Sequence, residues 1–411
     1  MSLPPVANRL ESVNRVRAHQ RAWIEQTRQS VAAGGPFAIC NGDEAEEIFL
    51  AMGIPVLAIN YWNFLIAAQQ SIPHFTQVLH ERNYPGRHFF ALGLASSIAP
   101  EKAPWGGLPQ PTIICGSSRS ETELRITELW AREVGAHCFP LEFSFPSEHL
   151  KPLPEDWWNY TRQRWEELVD ADRLEHRVAQ ERALISFLEQ VTGRNFSVAD
   201  LSRAMVLANE QMEHWIEARR LIGRTHPCPV HVRDQMSMYQ AMWHRGSPMG
   251  VELVRDYLDE IRARVAAGAA GYRNEQIRIY YSGDTPPWSQ FAEDELGIVT
   301  TANFYSAVPD LYARTIHDDD PLRALAARHL FLFAFTPGRI AYVAQEFDCD
   351  AVVVVEPYMD RYPAELSRER QAVEAVGLPY LALPREADDA DVRQRLSDFA
   401  ARHFGSPRGR A

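Results

Sequence analysis

The chain has 411 residues. This is longer than a chain that folds around one ordinary hydrophobic core, so two or three domains are expected. A formal net charge of −12 argues against nucleic acid as the main partner, and 46% hydrophobic residues are typical of a globular protein. No run of about 18 apolar residues predicts a membrane span, and residues 1–20 lack the apolar stretch of a signal peptide. Five cysteines without a CxxC pair favour a reducing cytoplasm over a disulfide framework.

The first predicted α/β unit spans residues 37–60 and consists of a strand, a loop, a helix and a second strand. The apolar runs at 37–40 and 54–59 are typical of buried parallel strands, and acidic residues begin the helical stretch between them. Parallel sheets bind ligands at the carboxyl ends of their strands, so the loop after the first strand is a candidate binding loop. Its residues are Asn41, Gly42 and Asp43.

Strands and helices continue to alternate after this unit. Apolar runs at 111–115 and 136–141 predict two more strands of the same sheet, and Gly116 is expected to end the earlier one. Residues 155–270 then carry long helical patterns, including one from Trp157 to Val191, with few strand signals. A second sheet is predicted from four later apolar runs, at 277–281, 297–300, 350–356 and 379–383.

The sequence therefore predicts an α/β fold with two doubly wound, mostly parallel-sheet domains and a helical segment between them. The expected boundaries are 1–150 for the N-terminal α/β domain with its long leading helix, 151–272 for the helical segment and 273–411 for the C-terminal α/β domain. The motifs of the common dinucleotide fold and of ATP hydrolysis are absent, as are HExxH and G-x-S-x-G. The chain is not expected to hydrolyse ATP itself.

Four stretches carry a recognisable pattern in a fixed order along the chain. They are E-x-x-x-A-x-G-x-P-V at 47–56, T-I-I-C-G-S-S at 112–118, a strand ending in Gly283 followed by E-L-G-I-V from residue 295, and V-E-P-Y-M-D-R-Y-P at 355–363 followed by G-L-P-Y-L from residue 377. Together they resemble the 2-hydroxyacyl-CoA dehydratase and benzoyl-CoA reductase family, in its catalytic, non-ATPase subunits.

The resemblance implies a chemistry and a set of partners. Subunits of this family hold a [4Fe-4S] cluster through three cysteines, and a separate ATPase activator supplies the electron that reduces an acyl-CoA thioester. The expected ligand is therefore an acyl-CoA, and the expected partner is a homologous subunit in a hetero- or homodimer. Glu47 becomes the candidate catalytic residue, and Gly283 joins the loop Asn41 to Asp43 as a candidate for holding the acyl group.

The cysteine ligand set that the resemblance implies is incomplete in this chain. Only Cys115 lies at an expected ligand position, because residues 72–78 contain no cysteine and Val355 occupies the last position. Cys40 and Cys349 are doubtful replacements, and Cys349 precedes its strand and would lie at the wrong end of it. We therefore expect less than one full [4Fe-4S] cluster per chain, unless Cys40, Cys115 and Cys349 form a rearranged site.

Three functions remain open at this level. The chain is a subunit of a dehydratase (lyase) or reductase complex, a cluster-free acyl-CoA-binding or assembly subunit, or an acyl-CoA lyase with Glu47 as general base. The alternative for Glu46 and Glu47 is that they have no catalytic role and lie on a solvent-exposed helix face. The aromatic segment 61–64 and the helical region are expected to contact a partner, with ordinary core packing as the alternative.

Overall fold

The computed structural model describes residues 9–42, 45–84, 88–118, 120–143, 153–283, 285–306, 308–332, 338–355 and 363–405. Two four-stranded parallel sheets lie in this part of the chain. The first contains β1 (Ala38–Cys40), β2 (Val56–Ala58), β3 (Ile113–Ser117) and β4 (His137–Leu141). The second contains β5 (Ile277–Tyr281), β6 (Ile298–Asn303), β7 (Ala351–Val355) and β8 (Tyr380–Leu383).

Both sheets have the same topology. The strand order is β2-β1-β3-β4 in the first sheet and β6-β5-β7-β8 in the second, and every pair is parallel. In each sheet the chain moves outward on one side of the first strand and then returns to its other side. All eight predicted strands are present, which confirms the α/β fold with two mostly parallel sheets.

Sixteen helices surround the sheets in the described part of the chain, and none of them is long and apolar enough to cross a membrane. They are α1 (Glu11–Ala32), α2 (Glu46–Ala51), α3 (Ile59–Ala68), α4 (Ile72–Glu81), α5 (Ala91–Ile98), α6 (Glu121–Val134), α7 (Trp165–Leu168), α8 (Ala171–Thr192), α9 (Val198–Arg224), α10 (Val232–Tyr239), α11 (Pro248–Ala266), α12 (Ser289–Phe291), α13 (Pro321–Leu332), α14 (Gly338–Glu346), α15 (Pro363–Ala375) and α16 (Asp389–Phe404).

The single helix expected from Trp157 to Val191 is wrong, because the chain there forms a 3₁₀ turn, the short α7 and then α8. Asp170 sets the start of α8, since its side chain accepts a hydrogen bond of 3.0 Å from the backbone N–H of Arg173. An aspartate in this capping position satisfies a donor that the helix itself leaves open. The local cap therefore decides the boundary that hydrophobic periodicity alone did not show.

Gly116 does not end its strand, which corrects a second expectation, because β3 continues to Ser117. A Cβ atom at position 116 would lie 2.1 Å from Oγ1 of Thr127 on α6. The glycine thus lets α6 approach the strand closely, which is a common reason for glycine inside a strand. Cys115 consequently lies inside β3 and not at its carboxyl end.

The two sheets differ in how their cores are built. The first sheet shares one continuous core with the helices between residues 157 and 266, whereas the second sheet has a separate core on each of its faces. Tyr61, Trp62 and Asn63 belong to the interior, with exposed fractions of 4%, 0% and 0%. The aromatic segment is therefore packed in the core, and its prediction as a partner contact is wrong for these three residues.

Candidate functional site

Each sheet has one point where the chain reverses direction, between β1 and β3 in the first sheet and between β5 and β7 in the second. The connections leave these two strands on opposite faces, so a crevice is expected at their carboxyl ends. Ligands of open parallel sheets bind in this crevice. The residues that follow β1 and β3, and those that follow β5, are therefore the candidate site residues.

Two buried oxygen atoms at this point of the first sheet have no hydrogen-bond partner among the described residues. Asn41 follows β1 and Ser117 ends β3, and both have an exposed fraction of 0%. The Asn41 Nδ2 group donates to Glu123 Oε2 over 3.4 Å, but Asn41 Oδ1 and Ser117 Oγ have no partner among the described residues. Because buried polar groups are almost always paired, two atoms without partners at the ends of neighbouring strands indicate a place for ligand atoms.

Glu123 and His88 complete this crevice, and the sequence did not point to them. Ser120 caps α6 by accepting a hydrogen bond of 3.1 Å from the Glu123 N–H, and the Glu123 carboxylate turns toward Asn41 and His88. The spacing Ser120-x-x-Glu123 is the signature of a capping box and could have located Glu123 at this helix start. Its contact with Asn41 joins residues 82 positions apart, so no local pattern shows it.

The glycine of the binding loop permits a close contact. A Cβ atom at Gly42 would lie 2.7 Å from Nδ2 of Asn60, which stands in the first turn of α3. The loop therefore passes directly over the residues that follow β2. Asp43, the third residue predicted for this loop, lies outside the described residues.

At the corresponding point of the second sheet, the backbone binds the polar side chain that follows the strand. Ser282 follows β5, and its hydroxyl accepts a hydrogen bond of 3.0 Å from the backbone N–H of Val355 at the end of β7. At Gly283 a Cβ atom would lie 2.6 Å from the ring of Tyr281, so the ring position requires a glycine. No hydrogen bond among the described residues joins Gly283 to the loop of Asn41 and Gly42, and the predicted role of Gly283 remains a prediction.

Aromatic side chains connect the carboxyl ends of the two sheets. Phe64 on α3, the helix after β2, lies 6.4 Å in ring-centroid distance from Tyr305, which follows β6. Tyr305 also packs on Tyr239 of α10 at 4.6 Å, and Tyr239 lies 6.1 Å from Tyr61. The outer strands of both sheets therefore lead into one aromatic cluster between them.

Glu47 lies in a buried ion-pair cluster. Its carboxylate has an exposed fraction of 0% and accepts hydrogen bonds of 2.5 and 2.6 Å from Arg328 and of 3.1 Å from Arg245. Burial alone would raise the pKa of Glu47, but the two guanidinium groups outweigh it and lower the pKa to about 2. Glu46 is buried as well, with 7% exposure, so the interpretation of both acids as a solvated face is wrong.

This geometry gives Glu47 a connecting role. Arg245 precedes α11 and Arg328 lies on α13, so one carboxylate joins α2 to two other parts of the fold. A carboxylate with a pKa near 2 is a weak base at neutral pH, because proton transfer is efficient when the catalytic pKa lies near the working pH. The catalytic role of Glu47 stays a prediction, and its contacts favour a structural one.

The cysteines do not form a cluster-binding set. Cys40 and Cys115 are neighbours across β1 and β3, whereas Cys349 precedes β7 in the second sheet and lies 3.5 Å from Oγ1 of Thr301. Burial raises the pKa of the Cys349 thiol to about 12. All five cysteines are among the described residues, where no group of three or more His, Cys, Asp or Glu could hold a metal ion.

The alternative of a rearranged site formed by Cys40, Cys115 and Cys349 has no support among the described residues. A cluster with one open iron requires three thiolates that converge, and two neighbouring buried cysteines supply only two. The residues of this chain do not fit a [4Fe-4S] cluster held in the manner that the resemblance implies.

The fold and the crevice define an α/β protein with two parallel sheets joined by helices and with polar groups at one strand-reversal point. The family model of 2-hydroxyglutaryl-CoA dehydratase, D-component, matches residues 45–400 of this chain. Because the match covers most of the chain, including seven of the eight strands, the chain belongs to this family. The resemblance of the four sequence stretches is thereby confirmed. A comparison with curated proteins gives no match.

Proposed function

We propose that this chain is the subunit of a 2-hydroxyacyl-CoA dehydratase system that binds an acyl-CoA thioester without a cluster of its own. The family match over residues 45–400 carries the proposal, since it spans most of both sheets and the helices between them. The distribution of the cysteines supports the absence of a resident cluster. Redox chemistry in such a system then belongs to a homologous partner subunit, which a separate ATPase activator supplies with electrons.

The crevice of the first sheet is the proposed place of the acyl group. The Ser117 hydroxyl can donate a hydrogen bond to the thioester carbonyl, and Asn41 Oδ1 can accept one from a hydroxyl on the acyl chain. Gly42 lets the binding loop pass close to Asn60, and Gly283 is proposed to line the opposite side. Glu47 holds α2, the helix that follows this crevice, and keeps the loop in place through Arg245 and Arg328.

The cysteines and the family match also support a proposed compartment and a proposed partner. None of the five cysteines forms a disulfide, which supports a reducing cytoplasm. The partner is proposed to be a homologous subunit, and the present chain would supply acyl-CoA binding to the pair.

A binding experiment tests this function. The chain, purified without oxygen, is titrated calorimetrically with 2-hydroxyglutaryl-CoA, with free CoA as the control ligand, and iron and sulfide are measured per chain. We expect saturable binding of the thioester by a protein with less than one full cluster. Ser117→Ala should weaken binding about fivefold through the loss of one hydrogen bond, whereas Ser237→Ala, at a half-buried serine on α10 whose hydroxyl binds the Arg233 carbonyl, should not.

The outcomes separate the functions considered. Four irons per chain that are lost in Cys115→Ala would show that a resident cluster survives. Absence of thioester binding, alone and with homologous subunits from the same source, would overturn the proposal. Turnover of the thioester without reductant would instead favour a lyase, and its loss in Glu47→Gln at unchanged folding would assign the base.

A further inference from the structure

Arg219 on α9 is a buried cation without a bound counter-ion. Its exposed fraction is 3%, and it makes no hydrogen bond or ion pair within the described part of the chain. Two other deeply buried arginines bind carboxylates, since Arg177 contacts Glu181 over 3.0 Å and Arg328 binds Glu47, whereas the buried Arg314 contacts a backbone carbonyl and the Phe331 ring. A buried charge is stable when it is paired, so the environment of Arg219 calls for an anion.

The groups around Arg219 are further hydrogen-bond donors. Trp215 lies one turn earlier on the same face of α9, is 1% exposed, and has no partner for its Nε1–H. Tyr257 of α11 packs on Trp215 at a ring-centroid distance of 6.0 Å, and its hydroxyl makes no hydrogen bond with the described residues. The guanidinium, an indole N–H and a phenol thus lie in one buried region.

The acid that interacts with Arg219 does not bind it directly. Asp310 interacts electrostatically with Arg219 but forms no ion pair with it among the described contacts. The same carboxylate faces Arg220 and Arg339, and burial raises its pKa. Asp310 therefore does not supply Arg219 with a bound counter-ion.

We propose that Arg219, together with Trp215 and Tyr257, forms a binding site for a carboxylate. A planar guanidinium can bind both oxygens of a carboxylate, and the two neutral donors can satisfy its remaining lone pairs. A single negative charge balances the single charge of Arg219, whereas a phosphate dianion would leave a second charge buried. The site is separate from the Asn41 and Ser117 crevice and does not depend on the proposed function.

The carboxylate has two chemical sources, a free organic acid or the carboxylate end of a larger ligand. The full chain is therefore titrated calorimetrically with acetate and with succinate, and in parallel with succinyl-CoA and butyryl-CoA. Saturable binding of acetate or succinate at one per chain supports a free acid. Binding of succinyl-CoA at least about tenfold tighter than butyryl-CoA supports a carboxylate carried by an acyl group.

Variants assign the binding to Arg219. Arg219→Met keeps a long apolar side chain without the charge and should weaken carboxylate binding about ten- to hundredfold. Arg219→Lys should retain part of the affinity. Arg220→Met is the matched control, because Arg220 is the next residue on α9, has a half-exposed side chain and binds Glu346. Its carboxylate affinity should equal that of the unsubstituted chain.

Protein stability gives a readout that separates binding from a structural role. Without ligand, Arg219→Met should unfold at the same temperature as the unsubstituted chain or above it, because an unbalanced charge is removed. A lower unfolding temperature with unchanged carboxylate binding overturns the proposal, as does a failure of all four probes to bind. If Arg219→Met does not fold, carboxylate binding by Arg219→Lys is measured instead, and a crystal of the unsubstituted chain is soaked in acetate. Acetate density away from Arg219 would overturn the proposed site.

Discussion

The two sheets have the same strand order but opposite conditions at the point where the chain reverses. In the first sheet Asn41 Oδ1 and Ser117 Oγ are buried without partners, whereas in the second sheet the hydroxyl of Ser282 is bound by the N–H of Val355. Topology therefore places a crevice at both positions, but the side chains decide whether it offers groups to a ligand. The first crevice offers such groups, while the Ser282 hydroxyl of the second serves the backbone.

The two sheets also differ in what stabilises them. The core of the first sheet continues into the helices between residues 157 and 266 and into α13, and Glu47 adds ion pairs to Arg245 and Arg328 in these parts. The second sheet has its own core on each face. We infer that the first sheet and the helices unfold together, and that the second sheet can respond separately.

The strongest test of this difference is Glu47→Gln. The substitution leaves Arg328 and Arg245 buried with one acid fewer, and breaking a buried ion pair in this way costs about 3–5 kcal/mol. We expect the loss in the unfolding transition that includes the first sheet and the helices. Hydrogen exchange should show faster opening of β1, β2 and α9, with β5 and β7 little changed.

Glu213→Gln is the matched control for this substitution. Glu213 lies on α9 with a side-chain exposure of 49% and binds Arg162 on the surface. Exposed ion pairs contribute little, so the free energy of unfolding should change by less than about 1 kcal/mol. An equally small effect of Glu47→Gln would contradict the connecting role of that residue.

The second test concerns Glu181, a buried acid of α8 on the side of the first sheet. Burial raises its pKa to about 7 and outweighs the opposing effect of Arg177, although the two side chains are 3.0 Å apart. The ordinary pKa of a glutamate is 4.5. Between pH 4.5 and about 7 the folded protein therefore holds more protons than the unfolded chain. The free energy of unfolding should fall as the pH rises through this window, by about 3 kcal/mol.

The comparison with Glu181→Gln isolates this effect. The variant lacks the titrating group, so its stability relative to the unsubstituted chain should improve from pH 4.5 to pH 8. Glu47 contributes in the opposite direction and outside this window, because its stabilisation is present above pH 4.5 and is lost as the pH falls toward about 2. Urea unfolding at several pH values measures both slopes, and parallel curves for the two proteins would contradict the raised pKa.

The sequence allowed the fold to be predicted because parallel strands appear as short apolar runs with helices between them. All eight strands lie where such runs were found, and the helices α9 and α11 follow their periodic patterns. Boundaries were less predictable where a single contact decides them. The cap at Asp170 divides one expected helix, and the approach of Thr127 to Gly116 extends β3 by two residues.

The candidate site was predictable only in part. The loop of Asn41 and Gly42 was found because ligands bind after parallel strands, a rule that depends on local sequence. The partners of these residues come from distant positions, as Glu123 does for Asn41 and Arg328 does for Glu47. A sequence pattern shows which residues are polar but not which polar groups meet. The burial of Glu47 could therefore not be read from its helix.

The smallest expected effects come from one matched pair of serines, Ser282→Ala and Ser117→Ala. Removing the Ser282 hydroxyl leaves the Val355 N–H without its acceptor, and an unsatisfied buried donor costs about 1–2 kcal/mol. Removing the Ser117 hydroxyl deletes a group that has no partner among the described residues, so stability should change by less than about 0.5 kcal/mol. Urea unfolding of both variants measures these values.

In ligand binding, the same two variants should show the opposite order of effects, so that Ser117→Ala has the larger one. This result would distinguish the two sheets most directly. Ser117→Ala removes a hydroxyl that is available to the acyl-CoA and should weaken its binding about fivefold, whereas Ser282→Ala removes one that serves the backbone and should not. Calorimetric titration of both proteins with the same thioester gives the second measurement. If Ser117→Ala lowers stability as much as Ser282→Ala and leaves binding unchanged, then the Ser117 hydroxyl is a structural group. The two crevices would then be equivalent, and the ligand would have to bind elsewhere.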